Sequence, residues 1–337
     1  MGHGGEARWR MPAEWEPHRR CWMAWPMPEP WADDVAAVER DVVAVAHAIR
    51  AFEPVRVVVD PTRAARAVAR LGADVEVVEI PLDDPWFRDT GPTFVRGADG
   101  ARAGVCWRFN GWGGVNPHHA NDVRAARALL ARDGGAIVES TLALEGGAIA
   151  TDGAGTILTT ETVVLNPNRN PGLTRADAEA ELARAIGARK VIWLPGNPHE
   201  YGTDGHIDGI ACFVRAGVVM FERSAPDDPG FAVNEANRRA LEDATDADGR
   251  AIEIVYIDEA PAAPRAQGKG WGYCRSYVNF YVANGGVVMP GFGIPEDAAA
   301  REAVAAAFPD REVVQVDVSS LGVGGGGIHC ITQQEPA

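Results

Sequence analysis

Nothing in this 337-residue chain approaches the 18 or more uninterrupted apolar positions of a membrane-crossing helix, so no membrane partner is expected. Cysteine pairs of the C-x-x-C kind are also missing, because Cys21, Cys106, Cys212, Cys274 and Cys330 are scattered. That spacing argues against a structural zinc site. The odd count fits a reducing compartment better than a disulfide framework. A basic face for nucleic acid is not supported, with 32 Lys and Arg against 47 Asp and Glu and a formal charge of −15. Met1 to Arg10 lack the apolar core of a signal peptide, which argues against export and for the cytoplasm; these ten residues read as a flexible lead-in. What is present is ordinary for a globular protein: 46% hydrophobic and 23% charged residues, with 38 glycines and 23 prolines that imply many turns. The acidity serves solubility. It would also steer a small cationic substrate if its field were focused on a cleft.

Hydrophobic spacing predicts a long helix over 32–52, where Val35, Val38, Val42, Val45, Ile49 and Phe52 share a face behind Asp33 and Asp34. A strand over 55–60, a helix over 61–71 ending at Gly72, and a strand over 75–80 follow. A second unit begins near Ala136 and runs through 147–151 and 156–165. It continues into a helix capped by Thr174 and Asp177 with Ala178, Leu182 and Ile186 on one face, then a strand over 190–194. The same order recurs at 212–221, 234–244 and 252–257. It recurs again at 277–289, around the turn Asn284-Gly285-Gly286, and at 296–308 and 313–318. Strand pair, helix and strand thus repeat every ~60–80 residues, longer than common solenoid repeats. No linker or charge block divides the pattern, so a single closed α/β domain with loops gathered near one axis is expected.

Four short stretches place reactive side chains among glycines or at strand ends: Trp86 to Pro92, Glu145-Gly146-Gly147, Gly205-His206-Ile207-Asp208, and Gly324 to Cys330. Taken singly each is weak. A Cys among apolar residues is usually a small buried hydrophobe, and an acid beside glycines is usually a turn or cap. The glycine run lacks the Lys-Ser/Thr of a phosphate loop. His206 and Asp208 have no third His, HExxH or Cys pair to make a zinc site, so neither metal nor cofactor is expected. Together they offer a thiol, an imidazole and several carboxylates, which leaves a protease-like triad open. A guanidinium, planar and cationic with five N–H donors, explains the acids better, because it needs at least two carboxylates in fork geometry. Residues 89, 145 and 208 supply three candidates. Those acids would raise the thiol pKa unless a cationic substrate or a protonated His offset them.

From Met11 onward the chain resembles the agmatine deiminase family, in the peptidyl-arginine deiminase-like branch of the guanidine-modifying enzymes. The resemblance is carried by residues 11–18, 86–92, Trp107-Arg108-Phe109-Asn110 with Trp112-Gly113-Gly114, and Glu145-Gly146-Gly147. It continues through 165–171, 205–208, 276–281 and 327–334. It implies one domain over 11–337, a five-bladed α/β propeller of ββαβ modules. It also implies a deiminase that converts agmatine to N-carbamoylputrescine and ammonia, on the route to putrescine and polyamines. Cys330 would be the nucleophile forming an amidino-cysteine, and His206 the general acid/base. Asp89 and Asp208 would be the guanidinium holders, Glu145 the support of the histidine, and Trp86 the flank of the substrate's alkyl chain. The sequence leaves a homo-oligomer open.

Two positions depart from the family pattern. The acidic residue four before the histidine, which in the family faces the distal amine, is here Gly202, with Glu200 or Asp204 able to compensate. Arg275, in Cys274-Arg275, is either a surface residue or a pocket residue that would pair with a carboxylate on the substrate's tail. The alternatives are therefore a deiminase of a guanidino acid, an amidinotransferase sharing the thiol intermediate, and a guanidine-binding protein without turnover.

Overall fold

A computed structural model describes residues 8–29, 31, 34–261 and 272–337. The fold is mixed α/β, with five separate sheets among the described residues, none of which closes on itself. Four of them repeat one connection. An antiparallel strand pair is followed by a helix that returns the chain to a third strand, parallel to the second. The members are Thr93–Gly97, Arg102–Cys106 and Ala136–Glu139 around helix Asp122–Asp133; then Ile149–Thr151, Thr156–Thr160 and Lys190–Leu194 around Arg175–Ile186. Next come Ala211–Arg215, Val218–Arg223 and Glu253–Asp258 around Phe231–Glu242, and Tyr281–Ala283, Gly286–Gly291 and Glu312–Asp317 around Glu296–Ala307. The fifth sheet joins the chain ends. Strand Thr332–Pro336 runs antiparallel to His18–Ala24, pairing Thr332 with Met23 and Gln334 with Cys21, and Val55–Val59 and Glu76–Glu79 follow in parallel.

Local chemistry explains these elements. In the helix Val35–Arg50, Val38, Val42, Val45, Ala46 and Ile49 are buried along one face, each larger side chain contributing about 1.5–3 kcal/mol by leaving water. Glu39, buried on the same helix, is held by Arg63 at 2.7 Å and Arg66 at 2.6 Å. The helix begins at Val35; the expected start at Ala32 and Asp33 lies outside the described residues, and Asp34 precedes the first turn. Thr174 and Asp177 form the expected reciprocal cap, and Gly187 ends that helix at φ 75°, in the left-handed region. Of the expected flexible lead-in, residues 1–7 are outside the described part. Trp9 and Arg10 instead form a short strand against Gly97 and Arg96. Among the described residues no helix is long and apolar enough to cross a membrane.

Five buried clusters lie between sheets. Trp22, Val58 and Val78 meet Phe94, Cys106 and Leu129; Val95, Val105 and Val138 meet Ile149, Ile157 and Leu182. Leu158 and Ile192 meet Phe213 and Val219, Val218 and Met220 meet Val287 and Val304, and Tyr281 and Val288 meet Met23 and Val57. Each sheet therefore packs on two others.

Candidate active site

One topological position recurs at the site: the stretch just before one strand of each sheet's antiparallel pair. Asp89 lies in the turn Phe87–Thr90 before Thr93–Gly97, and Glu145 precedes the turn Gly146–Ala148 before Ile149–Thr151. His206 and Asp208 flank the start of the turn Ile207–Gly209 before Ala211–Arg215. Asn279 precedes Tyr281–Ala283, and Cys330 precedes Thr332–Pro336. All five sheets thus deliver a polar side chain to one place.

There the Cys330 Sγ lies 3.5 Å from Asp208 Oδ2 and 3.3 Å from Asn279 Nδ2. His206 sits between two acids, with Nε2 3.3 Å from Glu145 Oε2 and Nδ1 3.8 Å from Asp89 Oδ1. Asp89 accepts from the Gly147 N–H and from the Trp112 indole, both at 2.9 Å. Trp112 reaches it from φ 53°, a left-handed conformation that costs a non-glycine residue about 1–2 kcal/mol and is typical of functional sites. Gly147 lies where these groups converge. A Cβ there would stand 2.8 Å from Asp208 Oδ2, Asp89 Oδ1 and His206 Nδ1 alike. The glycine run has a steric reason as well, since a Cβ on Gly326 would strike Trp86 at 2.4 Å and one on Gly327 would strike Asn279 at 2.5 Å. A pocket lined by Trp86, Asp89, Trp112, Gly202, Thr203, Gly324 to Gly326 and Cys330 opens onto the thiol.

The electrostatics are those of a buried, charge-balanced cluster. Burial opposes the charged form of His206, but Asp89 and Glu145 overcome it and raise its pKa to about 9, so the imidazole is protonated at neutral pH. Burial raises the Asp89 carboxyl against the pull of His206. For Asp208 and Glu145 burial is outweighed, by His329 in one case and Arg169 in the other, and both carboxyls fall below their usual range. Burial together with Asp208 pushes the Cys330 thiol well up. Without a cationic ligand this thiol holds its proton. No cluster of three or more His, Cys, Asp or Glu among the described residues has an arrangement that could hold a metal ion.

The profile of the Porphyromonas-type peptidyl-arginine deiminases matches residues 10–336. This chain belongs to that family. It is 46% identical over 338 residues to a putative agmatine deiminase of Streptomyces avermitilis, covering 97% of both chains. It is 40% identical over 351 residues to the agmatine deiminase of Pseudomonas aeruginosa, covering 97% of this chain and 95% of the relative. Its fold is similar to a solved agmatine deiminase of Enterococcus faecalis, with a TM-score of 0.94, 32% identity and coverage of 99% and 98%.

Within this family member, Cys330, His206, Asp89, Asp208 and Glu145 lie together, with Trp86 and Gly202 in the pocket wall. Arg275 does not join them. Its Nε donates to Glu259 at 2.8 Å, its other end pairs with Asp228, and it lines a different cavity with Glu222 and Asn237. The two acids beside it capture the guanidinium, so it cannot meet a carboxylate at the reactive pocket. The substitutes considered for the acid missing at Gly202 are also committed elsewhere. Glu200 accepts the backbone N–H groups of Gly202 at 2.7 Å and Thr203 at 2.6 Å, and Asp204 binds Arg169 and Asn168. Four residues escaped sequence reasoning: Asn279 beside the thiol, Arg169 on both oxygens of Glu145 at 2.9 and 3.0 Å, and Glu14 with His329 behind Asp208. The runs around Glu14, Arg169 and Asn279 stood out only through the family resemblance, which gave them no role.

Proposed function

We propose that this protein is an agmatine deiminase that works through a covalent amidino-cysteine. The observation that carries the reading is the convergence of a thiol, an imidazole and two carboxylates around the space kept open by Gly147. The planar guanidinium lies between Asp89 and Asp208, which hold it in line with Cys330 and balance its charge. Its arrival adds one positive charge to a cluster that already pairs its acids, and this offsets loss of the Cys330 proton to solvent. The thiolate then bonds to the central carbon. His206 gives its proton to one nitrogen, and the C–N bond breaks to release ammonia, leaving the amidino group on sulfur. Neutral His206 next takes a proton from water, whose oxygen bonds to the same carbon. As the C–S bond breaks, the new hydroxyl passes its proton to the departing Cys330 sulfur, and N-carbamoylputrescine is released with the thiol restored.

The tail passes Trp86 into a neighbouring cavity of about 700 Å³ that shares Trp86 and Gly324 with the reactive pocket. Among the described residues Glu29, Asp83, Asp84, Asn116 and His118 line it, with no Lys or Arg. An ammonium is favoured there over a carboxylate, which together with the captured Arg275 supports agmatine over a guanidino acid. The five sheets, each packed on two others and each sending one turn to the site, support the five-bladed ββαβ propeller as one domain that takes in Trp9 and Arg10 as well as 11–337. Five free cysteines, one of them reactive, suit the reducing cytoplasm. The test is incubation with agmatine or 4-guanidinobutyrate and no acceptor amine. Ammonia and ureido product should form from agmatine at least ~10-fold faster, with Cys330→Ala inactive. Equal turnover of both compounds, or a requirement for an acceptor amine, would overturn the assignment.

A further inference from the structure

Behind the reacting groups lies a second imidazole. His329 Nδ1 is 2.8 Å from Asp208 Oδ2 and His329 Nε2 is 2.8 Å from Glu14 Oε1. Carboxylates only accept, so both ring nitrogens must donate, and this ring is an imidazolium. Arg88, buried, stands 3.5 Å from Glu14 and donates from Nε to the His329 carbonyl. The ring is held by its two carboxylates, and the His329 backbone N–H is anchored by the Asn279 side chain at 3.0 Å. The Asp208 oxygen gripped by His329 is also the one at the reacting centre, 3.5 Å from Cys330 Sγ and facing Gly147. Asp89, on the other side, accepts hydrogen bonds from the neutral Gly147 amide and Trp112 indole, with His206 Nδ1 3.8 Å away.

We propose that Glu14 and His329 are positioning residues, a charged pair that fixes the rotation of the Asp208 carboxylate and keeps it ionised for the guanidinium. The assignment rests on the deiminase reading and gives the N-terminal run 11–18 its purpose: it carries Glu14 to the back of the site. The groups facing His329 are Asp208, Glu14 and Arg88.

The test compares wild type with Glu14→Gln, which keeps shape and loses charge, and with His329→Asn, which keeps one neutral donor toward Asp208. Agmatine turnover is measured from pH 5 to 9, and folding is checked by thermal melting. Both variants should lose about 10- to 100-fold in kcat/KM at pH 7, and the acid limb of the profile should move to higher pH as Asp208 becomes easier to protonate. Wild-type kcat/KM with an unmoved acid limb in either folded variant overturns the positioning role. So does loss of activity with no movement of the limb, and so does failure of both variants to fold, which would make the pair a folding element. A wild-type protein that releases no ammonia from agmatine would instead refute the deiminase reading, and that result stands apart from every variant outcome.

Discussion

Gly147→Ala is the sharpest perturbation of the site, because one methyl group meets three functional atoms at once. The new Cβ would lie 2.8 Å from an oxygen of Asp89, an oxygen of Asp208 and the His206 Nδ1, where ordinary contact begins at 3.4 Å. Each group must retreat by about 0.6 Å or the turn must shift by a similar amount, and a misplacement of ~1 Å at reacting groups can cost ~100-fold. Cost at the backbone should be small: Gly147 is not at positive φ, and Gly to Ala at a compatible position lowers the entropy of the unfolded chain by about 0.4–1 kcal/mol. The expected result is a fall in kcat/KM for agmatine of ~100-fold, equivalent to ~3 kcal/mol of transition-state stabilisation. The melting temperature should move by no more than about 4 °C. Steady-state ammonia release and a thermal melt on the same preparation suffice. Retention of more than about half of wild-type kcat/KM would refute the claim that the three groups converge on this glycine.

Arg275→Ala should leave the ratio of agmatine to 4-guanidinobutyrate turnover unchanged. It should lower stability by ~1–3 kcal/mol, because Asp228 and Glu259 lose their shared partner; a substrate panel with a denaturation curve decides this, and a changed ratio would return the residue to the pocket. Deleting 332–337 removes the strand that pairs with His18–Ala24, and with it Glu335, which accepts from the Trp22 indole and from Arg102. Such a chain should not reach a cooperative thermal transition, and a normal melt would show that the chain ends need not pair. His206, raised to about 9 in the folded protein, contributes stability that is complete below about pH 6.5 and is lost as pH rises through about 9. The loss amounts to ~3 kcal/mol. A series of melts should therefore decline over that window, and His206→Gln should flatten it; an equal slope in both proteins would show that another group titrates.

The repeating modules were legible wherever apolar spacing was regular, as in Val35–Arg50 or the Thr174-capped helix, because there one buried face dictates the pattern. Elements buried by polar contacts were not legible. Thr332–Pro336 carries Thr, Gln, Gln and Glu in the interior, where neither alternation nor apolar content marks a strand. Arg102–Cys106, centred on Ala and Gly, gave an equally poor signal, as did His18–Ala24, with its two arginines.

The sequence by itself singled out the candidate groups. Cys330, His206, Asp89, Asp208 and Glu145 stand at glycine-rich turns, where the backbone can bring charged side chains together, and their types suit a guanidinium. Tertiary structure alone decided what those groups face. Asp228 and Glu259 turn Arg275 away from the pocket, although chain position left both orientations open. Glu14 meets His329 across 315 residues, and Asn279 meets Cys330 across 51. Such partners share no local spacing, because side-chain direction is set by which turns the five packed sheets bring to one point.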